Sequence, residues 1–326
     1  MKIDFHNHFY PPGYLEKLEK WGHRYKFVED PSGLKIVSEK GARFLGITKG
    51  HVSIEQRISD MDRIGIDIQV LSLTTPNVYF STRKRNLYLA KTSNDFFAEI
   101  CQKYPQRFIA FASVPLKDPD DAIEELHRAC KDLGMRGVVL GSNIDGRHLH
   151  SKEFWPFYEE VSRLDIPIFI HPMVPKHPET LAEFALVPFV GFTMDTTITV
   201  AKMVLSGLFE KYPNLNLILP HLGGTLPFLF ERFDNGFRAY KEFQENISKP
   251  PTYYFKKFYY DTVSFYQPAL LCTYLSVGAD HMVLGSDYPH VIGDINRCVS
   301  SIEELNISKE EKEKILGANG RKILKM

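Results

Sequence analysis

Cysteine is scarce and scattered in this chain. The four present, Cys101, Cys130, Cys272 and Cys298, form no Cys-x-x-Cys pair, so neither a Cys-rich structural zinc site nor a disulfide framework is expected. Each falls in a stretch that reads as helix, where a buried, reduced thiol is expected. Neither sign of charge is in excess: 40 Lys and Arg balance 40 Asp and Glu. That balance gives no electrostatic footprint for nucleic acid, and no charge block suggests a disordered tail. The C-terminal SKEEKEKILGANGRKILKM alternates the two signs and reads as a solvated helix face. No apolar run approaches the ~20 residues of a membrane-crossing helix. Lys2 and Asp4 interrupt the N-terminus before any apolar signal core forms. A cytoplasmic protein with no membrane partner is expected.

What is present is an ordinary globular composition, 44% hydrophobic and 25% charged, with 13% aromatic residues that suit a large core and a pocket for a flat substrate. Short apolar runs alternate with amphipathic stretches. Strands are expected at 2–8, 66–72, 107–114, 137–141, 167–172, 216–224, 258–263 and 282–289. Most are continuous apolar runs, the pattern of strands buried on both faces. Helix patterns lie between them. Residues 53–65 start at Ser53 and stop at Gly65, residues 87–105 stop at Pro105, and residues 118–134 have an acidic first turn and a terminal glycine. Eight strands alternating with helices point to an α/β fold of the (β/α)₈ barrel type with a C-terminal helix. A doubly wound open sheet is the alternative, but it would carry a Gly-rich phosphate loop where this chain has FHNHFYPPG. The whole chain, 1–326, reads as one domain. Residues 9–52 form a long insertion after the first strand, expected to cover part of the barrel mouth. Residues 173–195 form a smaller excursion after the fifth strand.

Polar residues stand at the ends of these apolar strands. His6 and His8 end the first strand in IDFHNHFY, and at i and i+2 they share one face. His171 ends the fifth strand in FIHP, His221 the sixth in LPHLGG and Asp287 the eighth in LGSDYP, and the seventh offers Asp261. In a (β/α)₈ barrel the C-terminal strand ends face one mouth, where the chemistry lies. Four histidines and an aspartate gathered there point to a metal site. Imidazole and carboxylate suit zinc, manganese or iron, with zinc bonds of about 2.0–2.2 Å. His290, three residues after Asp287, is placed to line the pocket. The second His-x-His, His148 and His150, lies in a polar loop beyond the fourth strand and reads as structural. His51 is one of two histidines in the insertion and carries a weaker claim.

These residues resemble the amidohydrolase superfamily, and within it the amidohydrolase-related branch containing 2-amino-3-carboxymuconate-6-semialdehyde decarboxylase and the γ-resorcylate and 5-carboxyvanillate decarboxylases. The resemblance runs end to end. It is carried by DFHNHF, RISDMDRIGID followed by IQVLS, PQRFIAFASVPL, IPIFIHP, LSGLFEKYPNLNLILPHLGG, ERFDNGFR, MVLGSDYPH and ILGANGRKIL. It implies one catalytic divalent metal held by His6, His8, His171 and Asp287, with zinc as the expected ion and manganese the alternative. His221 would act as an acid–base group beside it. Arg232, in ERFDNGFR, matches an arginine that reaches the neighbouring site of a homodimer and binds a substrate carboxylate. The first-named decarboxylase also has a substrate arginine in the insertion. The matching position here, counted back from Arg57, is Leu45, with Arg43 two residues away.

The reaction expected from these features is metal-dependent, non-oxidative decarboxylation of an aromatic or enol-type carboxylic acid. Asp287 or His221 would supply the proton and no redox cofactor is needed. The alternative is hydrolysis of a lactone, amide or ester by a metal-bound hydroxide. A non-catalytic metal-binding barrel is a third reading, and its mark would be a missing ligand or acid–base group.

Overall fold

The computed structural model describes all 326 residues. Eight parallel strands carry the fold: Ile3–His8, Ile68–Ser72, Phe108–Ala110 with its continuation Ala112–Ser113, Val138–Gly141, Ile168–His171, Leu217–Leu219, Tyr259–Asp261 and Met282–Val283. Strands three to eight pair in sequence order, and the first pairs with the second, which pairs with the third. The two halves join at Phe111, whose N–H donates to Leu71 O at 3.0 Å while the next N–H, of Ala112, donates to Gly137 O at 2.8 Å. On the other side the Phe5 N–H donates to Leu284 O at 2.9 Å, and the His8 N–H donates to Tyr288 O at 2.8 Å. The architecture is the expected (β/α)₈ barrel.

Side chains from every strand pack inside it. Ile3, Phe5, Val70, Phe111, Val139, Phe169, Ile218, Tyr259 and Val283 form one buried cluster, which Ile323 and Leu324 join from the C-terminal helix. A second, larger cluster of 71 buried residues includes the outward strand positions and the apolar faces of the helices. The helix Ile54–Ile64 shows how closely local signals set boundaries. Ser53 accepts from the Gln56 N–H at its start, and Gly65 at its end takes φ 76°.

Several elements differ from the sequence reading. The sixth strand stops at Leu219 and the eighth at Val283, short of the apolar runs that suggested 216–224 and 282–289. Both runs continue as loops because His221, Leu222 and Asp287 take left-handed backbone angles, φ 52°, 56° and 56°, which no strand accommodates. The two glycines after His221 are required by space: a Cβ on Gly223 would lie 2.5 Å from the Tyr260 ring, and one on Gly224 would lie 2.2 Å from Thr193 O. The insertion contains a helix, Tyr14–Trp21, and a three-stranded antiparallel sheet, Tyr25–Glu29, Lys35–Glu39 and Ala42–Ile47. Finally, one stretch, Glu183–Leu205, is long and apolar enough to cross a membrane by length and composition, contrary to the expectation that none is. It combines short helical turns with the helix Phe192–Leu205, and Thr196, Val200, Met203 and Val204 along it are buried.

Candidate metal centre and active site

The first strand delivers its histidines through an irregularity. Its pairing register with the second strand shifts between Asp4 and Asn7, so regular alternation breaks just where the polar residues begin. Bulges of this kind re-aim side chains beside active sites. Phe5 stays in the barrel core, yet His6 also turns inward, its ring centroid 5.1 Å from that of Phe169. His6 and His8 lie with centroids 5.0 Å apart. Ligand atoms of His6, His8, His171 and Asp287 all fall within 4.8 Å of one another, and all four residues are buried.

The outer nitrogens of the three rings decide what the inner ones offer. His6 Nδ1 contacts the carboxylate of Asp261, which can only accept, so the proton sits on Nδ1. His171 Nδ1 donates to Pro172 O at 2.9 Å. Ser72 Oγ donates to Asn7 O at 3.0 Å, which leaves its oxygen to accept from His8 Nδ1–H at 3.3 Å. Each ring is therefore turned with Nε2 inward, where His171 Nε2 also has Thr74 Oγ1 at 3.5 Å. His6 Nε2, His8 Nε2 and Asp287 Oδ1 are buried with no well-aligned hydrogen bond and face one another, the two nitrogens 3.1 and 3.6 Å from that oxygen. Buried polar atoms are rarely left so. Three lone pairs and one carboxylate facing a common point fit one divalent cation, and the hydrogen bonds behind them are those that orient metal-bound imidazoles.

Charge in the cluster favours a cation. Burial disfavours the His6 imidazolium, but Asp261 and Asp287 outweigh it and lift its pKa to about 10, so a cation bound between His6 Nε2 and Asp287 would take the place of a proton there. Burial would raise the Asp287 carboxyl, but His6 and His221 beside it hold it well below the usual carboxylate range. Burial holds His8 and His171 well below the ordinary histidine value, so both are neutral, the form that binds metal. Behind the site, the buried Arg57 donates to Asn7 Oδ1 at 2.9 Å and Gln69 Oε1 at 2.8 Å, and also contacts His8 O. It ties the first and second strands together directly under the histidines.

His221 stands just outside the cluster, its Nε2 3.8 Å from Asp287 Oδ2 and its side chain 17% exposed. His290 lies on another side, 5.0 Å between ring centroids from His8. A second chain of hydrogen bonds fixes it. The Thr48 N–H donates to His51 Nδ1 at 3.0 Å, which puts the His51 proton on Nε2. That proton is donated to His290 Nδ1 at 3.3 Å, and His290 Nε2–H then faces Thr74 Oγ1 at 3.2 Å. Burial holds both imidazoles below the ordinary value, hence neutral. Above these groups opens a cavity of about 540 Å³. His171, His221, Asp287 and His290 border it, with the insertion strand Ala42–Ile47, the 183–205 segment and the loops after the seventh and eighth strands completing its walls.

A barrel whose strand ends gather three histidines and one aspartate for a single cation can now be set beside known proteins. The family described as Amidohydrolase matches residues 3–326. The chain belongs to the amidohydrolase family. It is 30% identical over 331 residues to 2-amino-3-carboxymuconate-6-semialdehyde decarboxylase of Dictyostelium discoideum, covering 99% of this chain and 91% of that protein. It is 31% identical over 293 residues to γ-resorcylate decarboxylase of Rhizobium sp. strain MTP-10005, covering 83% and 87%. Among solved structures it resembles a dihydroxybenzoic acid decarboxylase from Polaromonas sp. JS666 with bound manganese and 2-nitroresorcinol. There the TM-score is 0.84 at 28% identity, covering 99% of this chain and 96% of the other.

As an amidohydrolase-family site, the cluster contains His6, His8, His171 and Asp287 together, with His221 and His290 adjoining. Arg232 is not among them. It lies exposed on the helix Leu226–Ala239 and does not line the cavity of its own chain. Leu45 and Arg43 both border the cavity, Leu45 buried and Arg43 exposed. The sequence reading gave His51 a weak claim and passed over Thr74. Both belong to the hydrogen-bond chain behind His290. The only local sign of His51 is its spacing, Thr48-x-x-His51, that of a capping box. His148 and His150 lie elsewhere, His148 Nε2 being 3.1 Å from Lys202 Nζ.

Proposed function

We propose that this chain is a metal-dependent, non-oxidative decarboxylase of an aromatic carboxylic acid. The observation that carries this reading is the gathering of three Nε2 atoms and the Asp287 carboxylate within 4.8 Å of one another at the floor of the cavity, with His221 beside them. The decarboxylases among its relatives support it. A divalent ion held by His6, His8, His171 and Asp287 would supply a Lewis acid for the substrate carboxylate and an adjacent oxygen. We propose zinc or manganese for that ion, and the manganese of the Polaromonas structure supports the latter.

The chain's own groups perform the proton chemistry. Asp287 and His221 face each other across 3.8 Å, and one proton is held between them once they approach to hydrogen-bond distance over the substrate. That proton goes to the ring carbon bearing the carboxylate. The bond from this carbon to the carboxylate then breaks, its electron pair restores the ring's conjugation, and CO₂ leaves. No oxidant or reductant is consumed. His290, which borders the cavity, orients a substrate oxygen by turning its Nε2–H from Thr74 Oγ1 to the ligand. The proposal extends to a homodimer. Arg232 is exposed and unpaired, and Phe228 on the same helix, with Phe189, Val190, Met194 and Ile198 nearby in sequence to one another, presents apolar surface to solvent. In that assembly Arg232 would serve the neighbouring site.

The test is a panel of hydroxybenzoic acids and simple lactones offered to zinc- and manganese-loaded protein, with CO₂ and products quantified. One CO₂ per phenol formed is the expected result. Ring opening of a lactone with oxygen-18 taken up from water, and no CO₂ from any acid, would replace this reading with hydrolysis.

A further inference from the structure

The walls of the cavity differ in kind from its floor. Above the metal cluster stand Phe44, Leu45, Phe189, Phe192, Phe265 and Ile292, contributed by separate segments: the insertion, the 183–205 stretch and two strand-end loops. Arg43 is the one lysine or arginine bordering the cavity, and it is exposed, where water screens it. The one carboxylate is Asp287, at the floor. A second charged group on a ligand would thus lie against walls in which this chain places no buried counter-charge, which is costly, and Arg232 of a neighbouring copy is the one cation the proposed dimer would add. Size points the same way. A cavity of about 150 Å³ already takes up benzene. A single ring anchored at the floor would leave most of the 540 Å³ open.

We propose that the acid this site takes carries an apolar substituent of several carbons, alkyl or aryl, on the ring that bears the carboxylate. Phe44, Leu45, Phe192 and Phe265 pack against that substituent. The inference rests on the decarboxylase reading for the anchored end and on the walls for the rest. Burying each methylene is worth about 0.8 kcal/mol, so selectivity should grow about fourfold per carbon until the cavity is full.

The experiment uses 2-hydroxybenzoic acids with unbranched alkyl chains at C4 or at C6, from methyl to pentyl, and the same chains ended by a carboxylate. Turnover is measured as CO₂ release, and binding by calorimetry, on manganese-loaded protein. The expected result is kcat/KM rising about fourfold per methylene in at least one series, with the carboxylate-ended chains no better than methyl. Both series flat or falling, while the methyl acids still lose CO₂, would overturn the proposal and leave the decarboxylase reading standing. A carboxylate-ended chain that is preferred, whether it loses its advantage in Arg43→Ala or in Arg232→Ala, would also overturn it. If no acid loses CO₂, binding separates the two ideas. Affinity that still rises with chain length keeps the apolar-substituent site and removes decarboxylation, whereas affinity that does not rise removes the site.

Discussion

The floor and the walls of one cavity are built on opposite principles. At the floor four of the imidazoles are held by a hydrogen bond from behind: Asp261 on His6, Ser72 on His8, the Pro172 carbonyl on His171 and His51 on His290. Along the walls most side chains are apolar, with Arg43, Thr193 and Ser264 among them, and several are open to solvent, Phe189 at 55% and Val291 at 66%. The floor fixes what is done, because proton transfer and metal binding need ring nitrogens in one tautomer and one direction. The walls select what is admitted, and apolar contact asks only for complementary shape. A change at the floor should therefore cost orders of magnitude for every substrate, and a change at the wall should cost little and only for some.

The largest effect is expected from His171→Ala. Metal content by elemental analysis should fall from about one ion per chain to near zero, and activity with it, since the loss leaves three ligands. Retention of a full complement of metal would remove His171 from the coordination set. His221→Ala should instead keep its metal while kcat drops by about 10²–10⁴-fold, the usual contribution of a general acid or base. Equal loss of metal in both variants would show that His221 is a ligand and that the division between ligands and acid–base group is wrong. Asp261→Asn reaches the floor at one remove. Competition against a chelator should show metal bound about 10–100-fold more weakly, with the fold intact by circular dichroism. The smallest effect belongs to the wall. Phe265→Ala should cost about tenfold or less on acids with long apolar substituents and nothing measurable on methyl acids. A uniform loss across all acids would mean that Phe265 shapes the floor as well.

The same contrast governs what was legible in the sequence. The eight strands were readable because strands buried on both faces are continuous apolar runs, and a polar residue ending such a run, as in FIHP, stands out. His6, His8, His171, His221 and Asp287 were all found that way. Their conformations were not. The register shift after Asp4 and the left-handed angles at His221 and Asp287 arise from packing between distant segments, and the apolar letters around them read simply as more strand. The insertion sheet was missed because its strands are only partly covered. Tyr25–Glu29 has one buried residue in five, so no strong pattern marks it. His51 was undervalued for a related reason: it meets His290 across 239 positions, a contact that composition and spacing do not encode. The walls were least legible, since they combine side chains from loops whose positions depend on the whole fold.

In the proposed reaction the floor delivers a proton to the carbon that loses CO₂. Turnover of a hydroxybenzoic acid in D₂O, followed by NMR of the phenol, tests it directly. One deuterium is expected at the carbon that carried the carboxylate, formed at the rate of CO₂ release, abolished by chelation and restored by one equivalent of zinc or manganese. A phenol without deuterium at that carbon, or CO₂ release that persists undiminished after the metal is removed, would contradict it.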